Sequence, residues 1–252
     1  MTIMRQAFEY ALFTIAEYAR SGRILLEIIL TVVCLVIFFR SNTTLSAEYF
    51  FSISASCTLL LCAYSASTIL AIGDRPQGYV LIAHGLSRKA YVLGLWLASI
   101  IVVFSAYGLL SAGVALINPV EGLDMRGWFA GTLPLALNIM LLAALLTLLA
   151  PFVLRMVWRL IMLAIVAIAF SGNLLSGPTI ASLPTPLAAT LDVLRTIFST
   201  PLLPAFTGFA LAVSRDYSGI SAIVPLTQLL LVLGILGLAI WQFSRRELLL
   251  GR

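Results

Sequence analysis

Charge is what this sequence has least of. Only 10% of its 252 residues are Asp, Glu, Lys or Arg, 62% are hydrophobic, and the mean hydropathy is +1.10. A water-soluble domain carries about 25% charged residues because its surface faces solvent. A soluble fold is therefore excluded, and the outer surface must meet lipid. Histidine is reduced to His84 and lysine to Lys89. A lone histidine makes neither a zinc site of several ligands nor the paired histidines of a zinc-protease helix, and the apolar stretches hold no His or Lys to activate a serine nucleophile. Lys89 follows Leu86-Ser87-Arg88 rather than a glycine-rich phosphate loop, which excludes a P-loop. Catalytic, cofactor-binding and metal-binding residues are thus expected to be absent. The three cysteines, Cys34, Cys57 and Cys62, all lie in apolar stretches without paired spacing in a polar loop. They are expected to be small packing residues, neither a disulfide framework nor a metal site. Residues 1–23 mix charged and apolar side chains and lack the apolar core and cleavage site of a signal peptide.

What the sequence does have is long apolar runs. A membrane-crossing helix needs about 20 mostly apolar residues, and in lipid it must close its own backbone hydrogen bonds. Six stretches qualify: 24–39, 49–72, 91–117, 133–154, 157–175 and 220–243. The expected fold is an all-α membrane protein with six transmembrane helices in one domain, 1–252. Cytoplasmic loops are enriched in Arg and Lys. With the amino terminus inside, the inner segments hold Arg5, Arg20, Arg23, Arg75, Arg88, Lys89, Arg155, Arg159, Arg245, Arg246 and Arg252, and the outer ones only Arg40, Arg126, Arg195 and Arg215. Both termini are expected in the cytoplasm and the chain in the plasma (inner) membrane. The net charge of +5 reflects this topology and needs no nucleic acid.

Three segments depart from a plain bundle. In 1–23, Met4, Phe8, Leu12, Ile15 and Ala19 recur at helical spacing, with Arg5, Glu9, Glu17 and Arg20 on the remaining faces. This predicts an amphipathic helix at the inner membrane interface or one packed on a soluble partner. In 179–218, Pro184, Pro186, Pro201 and Pro204 interrupt an apolar outer segment, predicting short re-entrant helices before the last span. The second span is rich in small residues, including Ser52, Ser56, Ala63 and Ser67. Small side chains permit close helix approach, so these four are candidates for a dimer seam or substrate path, or for packing within one subunit. No charged residue lies deep in a span. Glu27 is nearest, close to the inner end of the first, where its carboxylate is expected at the interface. Proton- or ion-coupled carriers commonly hold ionisable groups near mid-membrane, so a self-powered carrier is disfavoured.

The most informative stretch is residues 73–90. Gly73-Asp74-Arg75-Pro76 ends the second span, 78–84 is apolar but too short to cross, Gly85-Leu86-Ser87 turns again, and Ser87 is placed to cap the next helix. Gly78, Tyr79, Val80, Leu81, Ile82, Gly85, Leu86, Ser87, Arg88, Tyr91 and Gly94 together resemble the loop of the permease subunit of type-2 ABC transporters. The amphipathic start, six spans, apolar outer segment and basic end at 243–247 extend the resemblance over most of the chain. The pattern differs at Tyr79-Val80, where many members carry an acid.

The resemblance implies that 73–90 forms a coupling helix docking into a cytosolic ABC ATPase. Gly78, Tyr79, Leu81, Ile82, His84, Leu86 and Arg88 are the expected contact residues. It also implies two ATPase copies that bind ATP and Mg, a second permease copy or homologue as dimer partner, and export by alternating access. No cofactor is expected in this chain itself. An ion-coupled secondary carrier and a non-transporting membrane scaffold are the alternatives.

Overall fold

The computed structural model describes residues 2–40, 44–154, 156–174 and 199–245, with single positions at 193, 196 and 197; at 77, 79, 166–174 and 201 the backbone alone is described. Nine helices follow in order among these residues: α1 (Ile3–Arg20), α2 (Arg23–Cys34), α3 (Ala47–Gly73), α4 (Pro76–Ala83), α5 (Arg88–Ile117), α6 (Met125–Leu148), α7 (Met156–Leu174), α8 (Leu203–Ser214) and α9 (Val224–Arg245). α2 runs on into a π-helical turn, Leu35–Phe39. Four helical segments, Ala47–Gly73, Arg88–Ile117, Met125–Leu148 and Gly219–Arg245, are long and apolar enough to cross a membrane. A fifth joins them if α1 and α2, bent by 78° at their junction, count as one broken span. The chain is a predominantly helical, multi-pass membrane protein.

The two ends of the bundle are defined by their connections. At one end β1 (Leu45–Ser46) pairs in parallel with β2 (Val120–Glu121), joining the start of α3 to the exit of α5. At the other, α4 links the end of α3 to the start of α5. Three apolar clusters lie along the bundle between them. One at the α4 end joins Tyr10, Tyr18, Tyr91, Leu95, Phe152 and Phe243. A middle one includes Cys62, Trp96 and Ile139, and one at the strand end includes Phe39, Phe50, Phe51 and Leu110.

Several boundaries follow from local chemistry. Asp124 starts α6 by accepting the Gly127 amide at 2.7 Å, the bond expected of an N-cap. The helix therefore begins eight residues before the expected span of 133–154 and has ended before residues 149–154, which form a turn. Pro134 sits inside it and cannot donate to the carbonyl of Ala130. That carbonyl instead accepts the Tyr217 hydroxyl at 2.5 Å, from the loop between α8 and α9. Burial raises the Tyr217 phenol above its ordinary pKa, so it remains a donor at neutral pH. Tyr217→Phe is expected to cost about 1 kcal/mol, read as a lower midpoint in reversible unfolding from mixed micelles.

Two sequence expectations need correction here. Cys34 and Cys57 are joined as a disulfide, their Cα atoms 7.0 Å apart, and only Cys62 is a free, buried thiol. The antiparallel course of α2 and α3 brings together residues that share no loop, which spacing along the chain does not register. The Glu27 carboxylate does not face headgroups or water either: it is 3% exposed and turned into the protein between α1, α2 and α3. Pro184, Pro186, Asp192 and Arg195 of the expected outer segment, Arg155, and the basic end from Arg246 to Arg252 lie outside the described residues.

Candidate functional site

The loop that carries the family resemblance folds as a compact junction at the α4 end. α3 ends at Gly73 with Asp74 as C-cap, and Pro76 opens α4 at a position where its missing N–H is not needed. Gly85 turns the chain at φ +104°, a conformation that favours glycine. Ser87 Oγ then accepts the Ala90 amide at 3.2 Å and caps α5.

Tyr91, one turn into α5, is the centre of this junction. Its side chain is fully buried and its hydroxyl donates to the Gly73 carbonyl at the end of α3. Its ring stacks on Tyr10 of α1 at 4.9 Å and on Phe243 of α9 at 5.8 Å, and meets Phe152 edge-on at 6.2 Å. Two glycines make room for this arrangement. A Cβ at Gly78 would lie 2.3 Å from the Tyr91 hydroxyl and 2.9 Å from the Gly73 carbonyl, so only glycine lets α4 lie this close to α3 and α5. A Cβ at Gly94 would lie 2.8 Å from the Ala7 carbonyl and 2.7 Å from the Tyr10 ring, so only glycine lets α1 lie this close to α5.

The expected contact residues divide accordingly. Gly78 is buried, and Ile82 and Leu86 pack partly buried against the apolar cluster at this end. Arg88 Nη1 donates to the Ser244 carbonyl at 3.2 Å, tying α5 to the end of α9. Val80, Leu81 and His84 are exposed, Val80 at 52% and Leu81 at 36%. The His84 ring Nδ1 lies 2.8 Å from the Val80 carbonyl, its helix's own backbone. The side chain of Tyr79 lies outside the described residues. The outward face of α4 is thus Val80, Leu81, Ala83 and His84, with Lys89 exposed just beyond it.

α1 borders the same junction and presents three faces. Ala7, Tyr10, Ala11, Thr14 and Tyr18 are buried, the spacing of one helix face. This is not the face that sequence periodicity picked out. Met4, Phe8 and Leu12 are about half exposed and form a separate apolar ridge, while Arg5, Glu9 and Arg20 occupy the polar side. Arg5 and Glu9 form an i,i+4 ion pair at 2.9 Å. Glu17 faces Arg75 at 3.6 Å, linking α1 to the residue before α4.

Along α3, Ser56 and Ser67 are exposed and Ser52 and Ala63 half-buried, all on one side of the helix with the exposed Leu60. The Ser56 hydroxyl is bonded back to the Ser52 carbonyl at 2.9 Å.

Two polar clusters escaped sequence reading. Tyr18 and Ser65 both donate to Glu27 Oε1. Gln228, fully buried on α9, donates to Asn138 Oδ1 at 2.8 Å and to the Pro134 carbonyl on α6, while Asn138 donates to the Ala205 carbonyl of α8 at 3.1 Å. A polar residue inside an apolar stretch was the available signal; its partners, 9 residues away across a bend and 38 away for Glu27 and 90 away for Gln228, were not readable. Among the described residues no cluster of three or more His, Cys, Asp or Glu could hold a metal.

No protein-family model, curated protein or solved structure matches this chain.

Proposed function

We propose that this chain is the permease subunit of an ATP-driven transporter of the type-2 ABC kind, an exporter in the plasma (inner) membrane with both termini cytoplasmic. α4 is its coupling helix, and ATP and Mg are bound and hydrolysed by a separate ABC ATPase present in two copies. A second permease copy or homologue completes the transporter, with Ser52, Ser56, Ala63 and Ser67 on the candidate dimer or substrate face. Six spans include α2 and α7 besides the four long helical segments. The short helices before the last span, α8 among them, cap the outer side, and α1 lies in the inner membrane interface.

The observation that carries this reading is the form of α4. It is an eight-residue helix, braced from behind by Gly78, Ile82 and Tyr91, with Val80 and Leu81 left facing outward. Large apolar side chains held exposed on a rigid stub outside the spans fit a partner surface. The faces of α1 support the same placement. A helix with one side on protein, one apolar ridge and one charged side suits a boundary where protein, lipid and water meet.

The test follows the exposed face. Ile82 supports α4 from inside, so Val80→Asp with Leu81→Asp isolates docking from folding. Burying two such side chains contributes about 1.5–3 kcal/mol each, so the double variant is expected to weaken ATPase association by roughly 100-fold or more. Membrane insertion and thermal stability should be unchanged. Wild-type levels of co-purifying ATPase with this variant would remove the docking assignment.

A second reading, an ion-coupled carrier, has one observation in its favour: Glu27 is an ionisable group buried within the first span. It predicts gradient-driven flux in ATPase-free vesicles that is lost in Glu27→Gln.

A further inference from the structure

Between α1 and α2 a single residue, Gly22, leaves the helical region, at φ +74°, while Ser21 keeps right-handed helical angles. The chain turns through 78° there. Tyr18 lies on one arm of this elbow and Glu27 on the other, and the Tyr18 hydroxyl donates to Glu27 Oε1 at 2.6 Å. The same oxygen accepts the Ser65 hydroxyl from α3. Tyr18, Glu27 and Ser65 are 0%, 3% and 1% exposed. In an uninterrupted helix, positions nine apart are separated by about 13.5 Å of rise and point to opposite sides. The Tyr18–Glu27 bond therefore exists only while the elbow is bent.

Both arms are held elsewhere too. α1 packs through Ala7 and Tyr10 on Gly94 of α5, so it moves with the junction around Tyr91. On the other side, the Cys34–Cys57 disulfide ties α2 to α3. The Glu27 carboxylate is thus a polar link that joins α1, α2 and α3, beside the Tyr91–Gly73 bond that ties α5 to α3. Its two donors are neutral hydroxyls, so what the site requires of residue 27 is a buried acceptor.

We propose that Glu27 is a positioning residue: by accepting from Tyr18 and Ser65 together it fixes the elbow and passes any displacement of α1 to α2 and α3. The source of that displacement, an ATPase at α4 and α1, rests on the permease reading; the elbow itself does not.

The test uses the full chain in phospholipid nanodiscs, with spin labels on unnatural amino acids at Phe13 of α1 and Leu60 of α3, both exposed, so that the three cysteines stay native. Labelled protein is diluted with excess unlabelled chain, so that only distances within one copy are read. Wild type and Glu27→Gln, which retains a carbonyl acceptor, are expected to give one narrow distance distribution. Glu27→Leu is expected to lose that single peak and to speed amide exchange in residues 14–22. A Glu27→Leu distribution matching wild type overturns the proposal. Equal broadening in Glu27→Gln also overturns it, because charge and not an acceptor would then hold the elbow. If Glu27→Leu does not fold, Tyr18→Phe carries the test: a broadened peak supports the link and an unchanged one refutes it. With the ATPase present, Glu27→Leu should keep co-purification but lose the ATP-dependent change in this distance. Failure of any ATPase to bind wild type would count against the permease reading while leaving the nanodisc result intact.

Discussion

Gly94→Leu is expected to detach α1 from the bundle. The first atom of any side chain at this position would fall 2.8 Å from the Ala7 carbonyl, a backbone atom that cannot rotate aside. Its other neighbour, the Tyr10 ring at 2.7 Å, is itself stacked on Tyr91. α1 must therefore move as a whole, and the buried face from Ala7 to Tyr18 loses its seat on α5. Forcing extra atoms into a close-packed contact costs about 1–3 kcal/mol, and Gly94→Ala should show the low end of that range. For leucine the cheaper outcome is separation, because α1 has an exposed apolar ridge of Met4, Phe8 and Leu12 that can stay in the membrane interface without the bundle. Hydrogen exchange should show loss of protection across residues 7–18 with α5 and α6 unaffected, and limited proteolysis should cut near Gly22. Unchanged exchange in α1 would mean that its seat lies elsewhere than Gly94.

How far the sequence foretold the structure depended on whether the controlling chemistry was local. The turn at Gly73-Asp74-Arg75-Pro76 and the cap at Ser87 were legible because each acts within a few residues. The long spans were legible because lipid imposes length and apolarity on any crossing helix. The start of α6 was not. Gly127, Gly131 and Pro134 argue against a helix locally, yet the Asp124 cap and the Tyr217 hydroxyl carry the helix through them. The second face of α1, the one seated on α5, went unread for a related reason. Periodicity selects large apolar side chains, while close packing on α5 uses Ala7, Ala11 and Thr14, which are small enough to let the backbones approach. The inward turn of the Glu27 carboxylate was not legible because its two hydroxyl donors, one across a bend and one on another helix, leave no trace in the pattern around residue 27. Within the candidate site, the sequence identified α4 as a unit but could not separate outward Val80 and Leu81 from inward Ile82 and Leu86, since eight residues of mostly apolar helix carry little directional contrast.

Tyr91→Ala is expected to be the most damaging single substitution at the α4 end, and Tyr91→Phe shows why. The side chain makes two kinds of contact: ring packing against Tyr10, Phe152 and Phe243, and a hydroxyl donated to the Gly73 carbonyl. Phenylalanine keeps the ring and removes only the hydrogen bond, leaving a helix-terminal carbonyl without its donor; the cost is about 1 kcal/mol. Alanine removes both and opens a cavity where α1, α3, α5 and α9 meet, a change that costs about 3–5 kcal/mol for a large aromatic in a close-packed core. The two variants should also differ in kind. With the ring in place, α4 keeps its backing and Val80 and Leu81 stay presented, so Tyr91→Phe should bind a partner ATPase nearly as well as wild type. Without it, the void beneath Gly78 lets α4 rotate or sink, and docking should fail even in protein that remains inserted. Unfolding midpoints for both variants, measured beside ATPase co-purification, separate these effects. Equal destabilisation by Phe and Ala would mean that the bond to Gly73, and not the stacked rings, holds the junction together.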